Sequence, residues 1–374
     1  VVEIKKIDMG SRRDVRRFIG VPFSLYPPDS PWLPPLRSDV RWSLDRTRHP
    51  FYAHSDADCF IAESGGRAVG RITVMENTTF NRYRNTSDAF FYYFDAIDDQ
   101  PVADALFGAA RKWASQRGLA RLVGPKGFLP SDAMGVLVEG FGHPPAVGLP
   151  FDYPYYADLI TGSGFEKETD FLSARIAKPQ RLPQQVFEMA DAVAEQLNMH
   201  WRTFDSRREV KRWNRRLFAA YNETFTENWE YWPLEPDEMD AIFTRFASII
   251  DPETIAVILT DDDEIVGHLF GVPDVSRAII KSRGRLFPFG WARVLRELRR
   301  TTQTSSFGMG IRPRYQGTGA NLIMYAAFAR VAEQVRYTTS ELVQVEEGNT
   351  RMLSNLDGIG VDWHKRHRVF SRPV

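Results

Sequence analysis

The sequence predicts an α/β protein, with helices packed on mixed sheets (α+β), built as two similar domains in tandem. Three observations predict it. The chain has 374 residues, long for one compact domain and comfortable for two of about 150 to 200 each. Hydrophobic residues make up 43% and charged residues 26%, the mix of a folded globular chain. A hairpin, a helix and a further strand follow one another in the first half, and the same plan returns in the second.

In the first half, Tyr26-Pro27-Pro28-Asp29-Ser30-Pro31-Trp32-Leu33-Pro34-Pro35 cannot be a helix interior, because each proline removes a donor and restricts its neighbour. Cys59 to Glu63 reads as a strand, Ser64-Gly65-Gly66 as a turn, and Arg67 to Met75 as the returning strand. Ala89 to Phe94 is a third strand. Asp98-Asp99-Gln100-Pro101 starts a helix, with acidic residues at the cap and Pro in the first turn. That helix stops at Gly118, and Ala120 to Val123 is a short strand.

In the second half, Thr254 to Leu259 and Ile265 to Val272 form the matching hairpin about the acidic turn Asp261 to Glu264. Ala68-Val69-Gly70 matches Ile265-Val266-Gly267 about 197 positions on, and Gly164-Phe165 matches Gly360-Val361 at a similar offset. The expected domains are 1–178 and 179–374, parted at Lys178-Pro179-Gln180-Arg181-Leu182-Pro183. Residues 273–303 interrupt the repeat with a loop, Pro288-Phe289-Gly290, and a basic helix, Trp291 to Arg300. They read as a surface insertion or as a flap over a site.

Composition excludes several classes. Lys plus Arg is 48 and Asp plus Glu is 48, so bulk charge gives no reason to coat nucleic acid or an anionic membrane. The single cysteine, Cys59, excludes an internal disulfide and a Cys-built zinc site. The seven histidines show no metal-ligand spacing, and no metal is expected. No apolar run reaches the length of a membrane span, and Val1-Val2-Glu3-Ile4-Lys5-Lys6 is not a secretion signal. A cytoplasmic protein with no membrane partner is the expectation, and an oligomer stays open.

The segment that carries chemistry is Ser305-Ser306-Phe307-Gly308-Met309-Gly310-Ile311-Arg312-Pro313-Arg314-Tyr315-Gln316-Gly317-Thr318-Gly319-Ala320. A strand ends at Ile311 and a helix opens near Gly317. Glycines at a helix entry let backbone N–H groups approach an anion, and the helix dipole favours phosphate there. No Lys-Ser/Thr follows as in a Walker loop, and the third glycine of a dinucleotide fingerprint is missing.

Arg314-x-x-Gly317-x-Gly319, after a strand and opening a long helix, resembles the acetyl-CoA-binding motif of the GNAT acyltransferases. A strand at Glu341 to Val345, then Asn349-x-x-Met352 and Gly360-Val361, is similar to the later part of that family's pattern. The whole chain also resembles a group of bacterial tandem GNAT-like proteins through Trp32-Leu33-Pro34-Pro35-Leu36, His49-Pro50-Phe51, Val69-Gly70-Arg71-Ile72 and Gly124-Pro125. The resemblance implies an N-acyltransferase that uses acetyl-CoA or another acyl-CoA as co-substrate, with a small-molecule amine as acceptor. It implies a splayed strand pair holding the pantetheine arm at Met309, Gly310 and Ile311. Arg314, Gln316, Gly317, Thr318, Gly319 and Ala320 would then hold the pyrophosphate. It also implies a tyrosine about seven residues after Asn349, where this sequence has Leu356.

Glu341, on the next strand, and Glu346, at its end, are candidates for drawing a proton from the amine through water, or are solvated strand-end charges. Asn349 is a cofactor contact, a helix N-cap, or both. Tyr231 and Trp232, in the run Asn228 to Pro233, line an acceptor pocket or pack in the interior. His268 is a pocket or a core residue. The first half should bind no CoA, because Asp98 and Asp99 repel a pyrophosphate and Pro101 offers no amide. Two alternatives stand beside the acyltransferase: an aminoacyl-tRNA-dependent Fem-like transferase, suggested by the basic stretch Arg207 to Arg216, and a non-catalytic acyl-CoA-binding protein, suggested by Leu356.

Overall fold

The computed structural model describes residues 1–177, 183–229 and 231–374. The boundary expected between 178 and 179 lies outside the described residues. The chain divides into two compact units, neither of them a contiguous half of the sequence. The first comprises Val1–Leu172, Ser276–Leu295 and His364–Val374, and the second Ser173–Val275 and Arg296–Trp363. The strands, in chain order, are β1 (Glu3–Lys6), β2 (Asp56–Ser64), β3 (Arg67–Glu76), β4 (Asp88–Ala96), β5 (Arg121–Gly124), β6 (Val136–Glu139), β7 (Glu166–Ala177), β8 (Met199–Arg202), β9 (Ile255–Thr260), β10 (Ile265–Pro273), β11 (Gln303–Ile311), β12 (Thr339–Glu346) and β13 (Asp362–Pro373).

In the first unit β1, β2, β3 and β4 are antiparallel neighbours. The helix Gln100–Ser115 then carries the chain over to β5, which lies parallel to β4. β13 runs antiparallel to β5 and β6. β2 and β3 are buried along most of their length, as strands covered on both faces are. Phe91, Phe107 and Phe165 meet edge-on or tilted beneath the helix, with ring centroids 4.7 to 5.5 Å apart. The buried cation Arg71 is bonded by its Nε to Asp95 at 2.7 Å and by Nη1 to the Phe18 carbonyl at 3.1 Å.

The second unit repeats the order. β8, β9, β10 and β11 are antiparallel neighbours, and the helix Ala320–Gln334 leads to β12, parallel to β11. The short sequence matches now have physical reasons. A Cβ at Gly70 would lie 2.9 Å from Leu106 of the crossing helix, and one at Gly267 would lie 2.9 Å from Met324 of the equivalent helix. Both glycines let a helix settle on its hairpin. Gly164 and Gly360 each follow a helix with φ of +82° and +72°, and their N–H groups bond back to Thr161 and Asp357.

Part of the stretch 273–303 belongs to the first unit. The Arg37 N–H donates to the Gly284 carbonyl at 2.9 Å, and the Arg283 guanidinium donates to the Phe23 carbonyl at 3.0 Å. A Cβ on Gly284 would stand 2.4 Å from the Pro35 carbonyl oxygen. The proline-rich segment near the start of the chain is thus the seat for a loop some 250 residues later.

Candidate functional site

The site expected in the second half is built from the end of β11, the helix entry after it, and the two strands on either side. β11 and β12 pair from Gln303↔Thr339 to Ser306↔Leu342, and among the described residues the parallel register goes no further. β11 itself continues to Ile311, paired among the described residues with β10 alone, with a bulge at Phe307. Met309, Gly310 and Ile311 therefore lie on a strand with one open edge. β12 leaves this edge through Gln344, whose φ is +53° and whose N–H donates to the Ser173 hydroxyl at 3.2 Å.

Beyond Ile311 a single 3-10 turn, Pro313–Tyr315, leads to Gly317 and Gly319, with φ of +78° and +100°. Gly319 caps the helix Ala320–Gln334 without any side-chain bond to its first amides. The N–H groups of Gly317, Gly319, Ala320 and Asn321 have no acceptor among the described residues. A Cβ at Gly317 would meet nothing within 4 Å, so this edge of the loop is open. Gln316 is fixed through its amide: Nε2 donates to the Ile311 carbonyl at 3.1 Å and Oε1 accepts from Arg351 at 2.6 Å. Arg351, in the first turn of the helix capped by Asn349, is a cation at the loop that no sequence motif marks.

Arg314 pairs with Glu264 on the β9–β10 turn. The same carboxylate receives Arg312 at 2.6 Å and the Tyr315 hydroxyl at 2.9 Å. Thr318 turns its hydroxyl back to the Tyr315 carbonyl at 2.7 Å. Asn349 is the N-cap of the helix Thr350–Gly358, accepting from the Met352 N–H at 3.2 Å. Leu356, where the resembled family has a tyrosine, is 2% exposed and packs with Ala174 and Leu342.

The two faces of this sheet differ. Leu269, Gly271, Thr304 and Ser306 line a cavity of about 840 Å3 together with Tyr325 and Phe328 of the helix Ala320–Gln334. Ser306 is both the last residue of β11 paired with β12 and part of this wall, so the cavity begins where these two strands part. Alternation puts His268 and Ser305 on the opposite face, and Glu341 joins them because it is in register with Ser305. There the rings of Phe225 and His268 lie edge to face, 5.6 Å apart. Burial pushes the His268 imidazole down to about 4, so it is neutral at ordinary pH, and its Nδ1 has no partner. The Ser305 hydroxyl is fully buried and also unpartnered, and Glu341 is 7% exposed.

The remaining candidates lie apart from this group. Glu346 turns into its own bend, accepting from the Gly348 N–H at 2.8 Å. Tyr231 and Trp232 are 4% and 1% exposed, and the Tyr231 hydroxyl donates to the Asn222 carbonyl at 2.6 Å; neither lines the cavity. Among the described residues no cluster of His, Cys, Asp and Glu is arranged to hold a metal ion.

The first unit lacks the open edge. Its parallel pair ends at Phe90↔Val123, and the chain at once refills the gap: the Lys126 N–H donates to the Phe91 carbonyl at 2.9 Å. Phe128 follows, fully buried against the rings of His49 and Phe51. Asp99 caps the helix that would have to receive a phosphate.

No family model matches the chain. It is 28% identical to the YghO protein of Escherichia coli (strain K12), over 97% of this chain and 94% of that one. It is 27% identical to a bacterial ceramide synthase of Caulobacter vibrioides (strain NA1000 / CB15N), over 100% of this chain and 98% of that one. Among solved structures it is similar to a tandem GNAT protein from the clavulanic acid biosynthesis pathway, described without AcCoA. The TM-score is 0.56 at 11% identity, with 100% of this chain and 98% of that chain covered. The fold, over the whole chain, is that of the tandem GNAT proteins.

Proposed function

We propose that the second unit transfers an acyl group from a CoA thioester to an amine. The observation that carries the proposal is the parting of β11 from β12 at Ser306 beside a helix entry with free amides. The amides of Gly317, Gly319 and Ala320 would receive the pyrophosphate, with Arg351 and Arg314 adding positive charge. The open edge at Met309 to Ile311 would pair with the pantetheine arm, and a main-chain N–H there would stabilise the carbonyl oxygen as charge develops. The amine would approach on the face of His268 and Glu341. Neutral His268 accepts a hydrogen bond from it, and Glu341, through water, takes the proton it must lose. With Leu356 in the core, the leaving thiolate takes its proton from solvent.

The cavity favours a long acyl group over acetyl. Its volume is within the range of about 300 to 1,000 Å3 usual for small-molecule sites, and its wall is mostly alkyl and aromatic. The relative named a ceramide synthase points the same way, since a ceramide is the fatty amide of a long-chain amino alcohol. The test is thiol release from acetyl-CoA and from hexadecanoyl-CoA in the presence of sphinganine, with Ala329→Trp as the cavity-filling variant. Faster release from hexadecanoyl-CoA, lost in that variant while the acetyl rate persists, supports the assignment. Equal rates in parent and variant for both donors remove the cavity from it, and no release from either removes the acyl transfer.

A further inference from the structure

The segment 285–300 stands apart from the rest of the surface. Phe287, Phe289, Trp291 and Leu295 are 80%, 73%, 49% and 45% exposed, and elsewhere among the described residues such large apolar side chains are exposed only singly. Scattered exposed apolar residues are ordinary; four within nine positions are not. The helix Gly290–Arg300 continues the pattern. Trp291, Val294, Leu295 and the buried Leu298 fall on one stripe at helical spacing, while Arg293, Arg296 and Arg300 fall on the other side and Arg299 flanks the stripe. Over 276–300 there are eight Lys and Arg residues against one acid, Glu297, in a chain whose total charge is zero.

The tip is held out by its base. The Trp291 N–H donates to the Leu286 carbonyl at 2.8 Å, and the indole Nε1 donates to the Pro288 carbonyl at 2.8 Å. The indole therefore spends its one polar group inside the loop and presents only ring. Arg293 is braced on the Lys281 carbonyl at 3.0 Å, and Gly284 receives the Arg37 N–H. A surface already ordered in this way loses little conformational freedom when it docks.

We infer that residues 285–300 dock the protein on an anionic lipid surface, with Phe287, Phe289, Trp291 and Leu295 entering the boundary between headgroups and acyl chains and the arginines facing the lipid phosphates. An apolar tip bracketed by cations, on a helix with one charged and one apolar side, is the pattern of a segment that lies in the membrane interface. Nucleic acid would use the arginines but leave Phe287 and Leu295 without a role. No helix among the described residues is long and apolar enough to cross a membrane, so the association is with one surface. It departs from the sequence-based expectation of no membrane partner, because that expectation rested on total charge and spanning length, and neither registers a local patch. It is independent of the proposed chemistry.

The experiment is co-sedimentation of the full chain with vesicles of phosphatidylcholine alone and of phosphatidylcholine with an equal part of phosphatidylglycerol. The protein should sediment with the anionic vesicles, weakly with the neutral ones, and less as salt rises. The triple variant Phe287→Ser, Phe289→Ser, Trp291→Ser should lose partitioning by on the order of 100-fold, because these side chains supply the buried area. Arg293→Glu with Arg296→Glu should bring anionic binding down to the neutral level. All five side chains are exposed, and an unchanged thermal melt shows that the variants are folded. No sedimentation with anionic vesicles overturns the inference, as does a triple variant that sediments like the parent. Binding to an RNA oligonucleotide in place of vesicles, abolished by the arginine substitutions alone, also overturns it.

Discussion

His268 and Gly310 are partners in the antiparallel ladder between β10 and β11, and the missing side chain of Gly310 is what allows the end of the helix Arg207–Thr224 to close over the imidazole. A Cβ on Gly310 would come within 2.3 Å of the Thr224 methyl. Contact that close is relieved only by moving the helix end off the strand or by rotating the Thr224 side chain, which breaks its hydroxyl's bond to the Ala220 carbonyl at 2.7 Å.

Gly310→Ala should therefore destabilise the protein by about 1 to 3 kcal/mol, the usual cost of overpacking a filled interior. It should also admit water to His268, so that the imidazole titrates closer to its ordinary value than to about 4. Urea unfolding and histidine NMR titration read the two effects. Adding Thr224→Ala, which removes the methyl in the way, should restore both. If the double variant is as unstable as the single one, the close approach is not the reason for this glycine.

Gly317→Asp should abolish the thermal stabilisation that an acyl-CoA gives the parent. The new carboxylate would stand among the free amides of the loop, where an anion is expected to sit. There is room for the side chain, so the cost to the unliganded protein comes mainly from φ of +78° and should be about 1 to 2 kcal/mol. The matched control is Asp98→Asn in the first unit, which should leave the ligand effect untouched. A Gly317→Asp protein that still gains stability from acyl-CoA would place the pyrophosphate elsewhere.

Local geometry was legible in the sequence where a backbone demand selects the residue. Gly70 and Gly267 could be matched because a helix must sit on each hairpin, and Gly164 and Gly360 because each follows a helix with positive φ. The helix entry at Gly317 to Ala320 was readable for the same reason. Membership of the two units was not, since it depends on contacts such as that between Arg37 and Arg283, far apart in the chain. Residues 273–303 read as an insertion or flap, and 276–295 of them belong to the first unit. The fate of single carboxylates was equally hidden. Glu346 is taken up by Gly348, and Glu264 by Arg312, Arg314 and Tyr315, through turns whose side-chain directions no spacing rule supplies.

Glu341→Gln should lower turnover by about a hundred- to ten-thousand-fold at neutral pH, the usual worth of a positioned base, while acyl-CoA affinity stays near that of the parent. Raising the pH should recover part of the loss, because more of the amine is then neutral without help. His268 contributes no ionisation near its ordinary value, since burial keeps it neutral down to about pH 4. A pH–rate profile of parent and variant separates these effects. Turnover at the parent rate would reduce Glu341 to a structural partner of the strand pair, and the base would then be sought at His268.

Asp152 should make the first unit less stable as pH rises. Burial is the main cause of its carboxyl being pushed up to about 7, with the nearby Asp95 adding to it and the Leu137 N–H, donating at 3.1 Å, opposing it. The folded state therefore holds a proton that the unfolded chain has already lost above its ordinary value near 4. Stability from this group is fully present below that ordinary value, declines as pH climbs from about 4 to 7, and is level above. The full span corresponds to at most about 4 kcal/mol, less whatever solvent access to this partly exposed side chain takes away. Asp152→Asn keeps an oxygen for the Leu137 N–H but cannot ionise. Its stability relative to the parent should accordingly be near zero at pH 4 and grow in its favour through pH 7. The difference in urea midpoint, measured at several pH values, isolates this one group, because every other carboxylate is common to both proteins. A difference that stays flat across the window would mean that Asp152 is ionised in the folded protein at ordinary pH, with Leu137 and water outweighing its apolar surroundings.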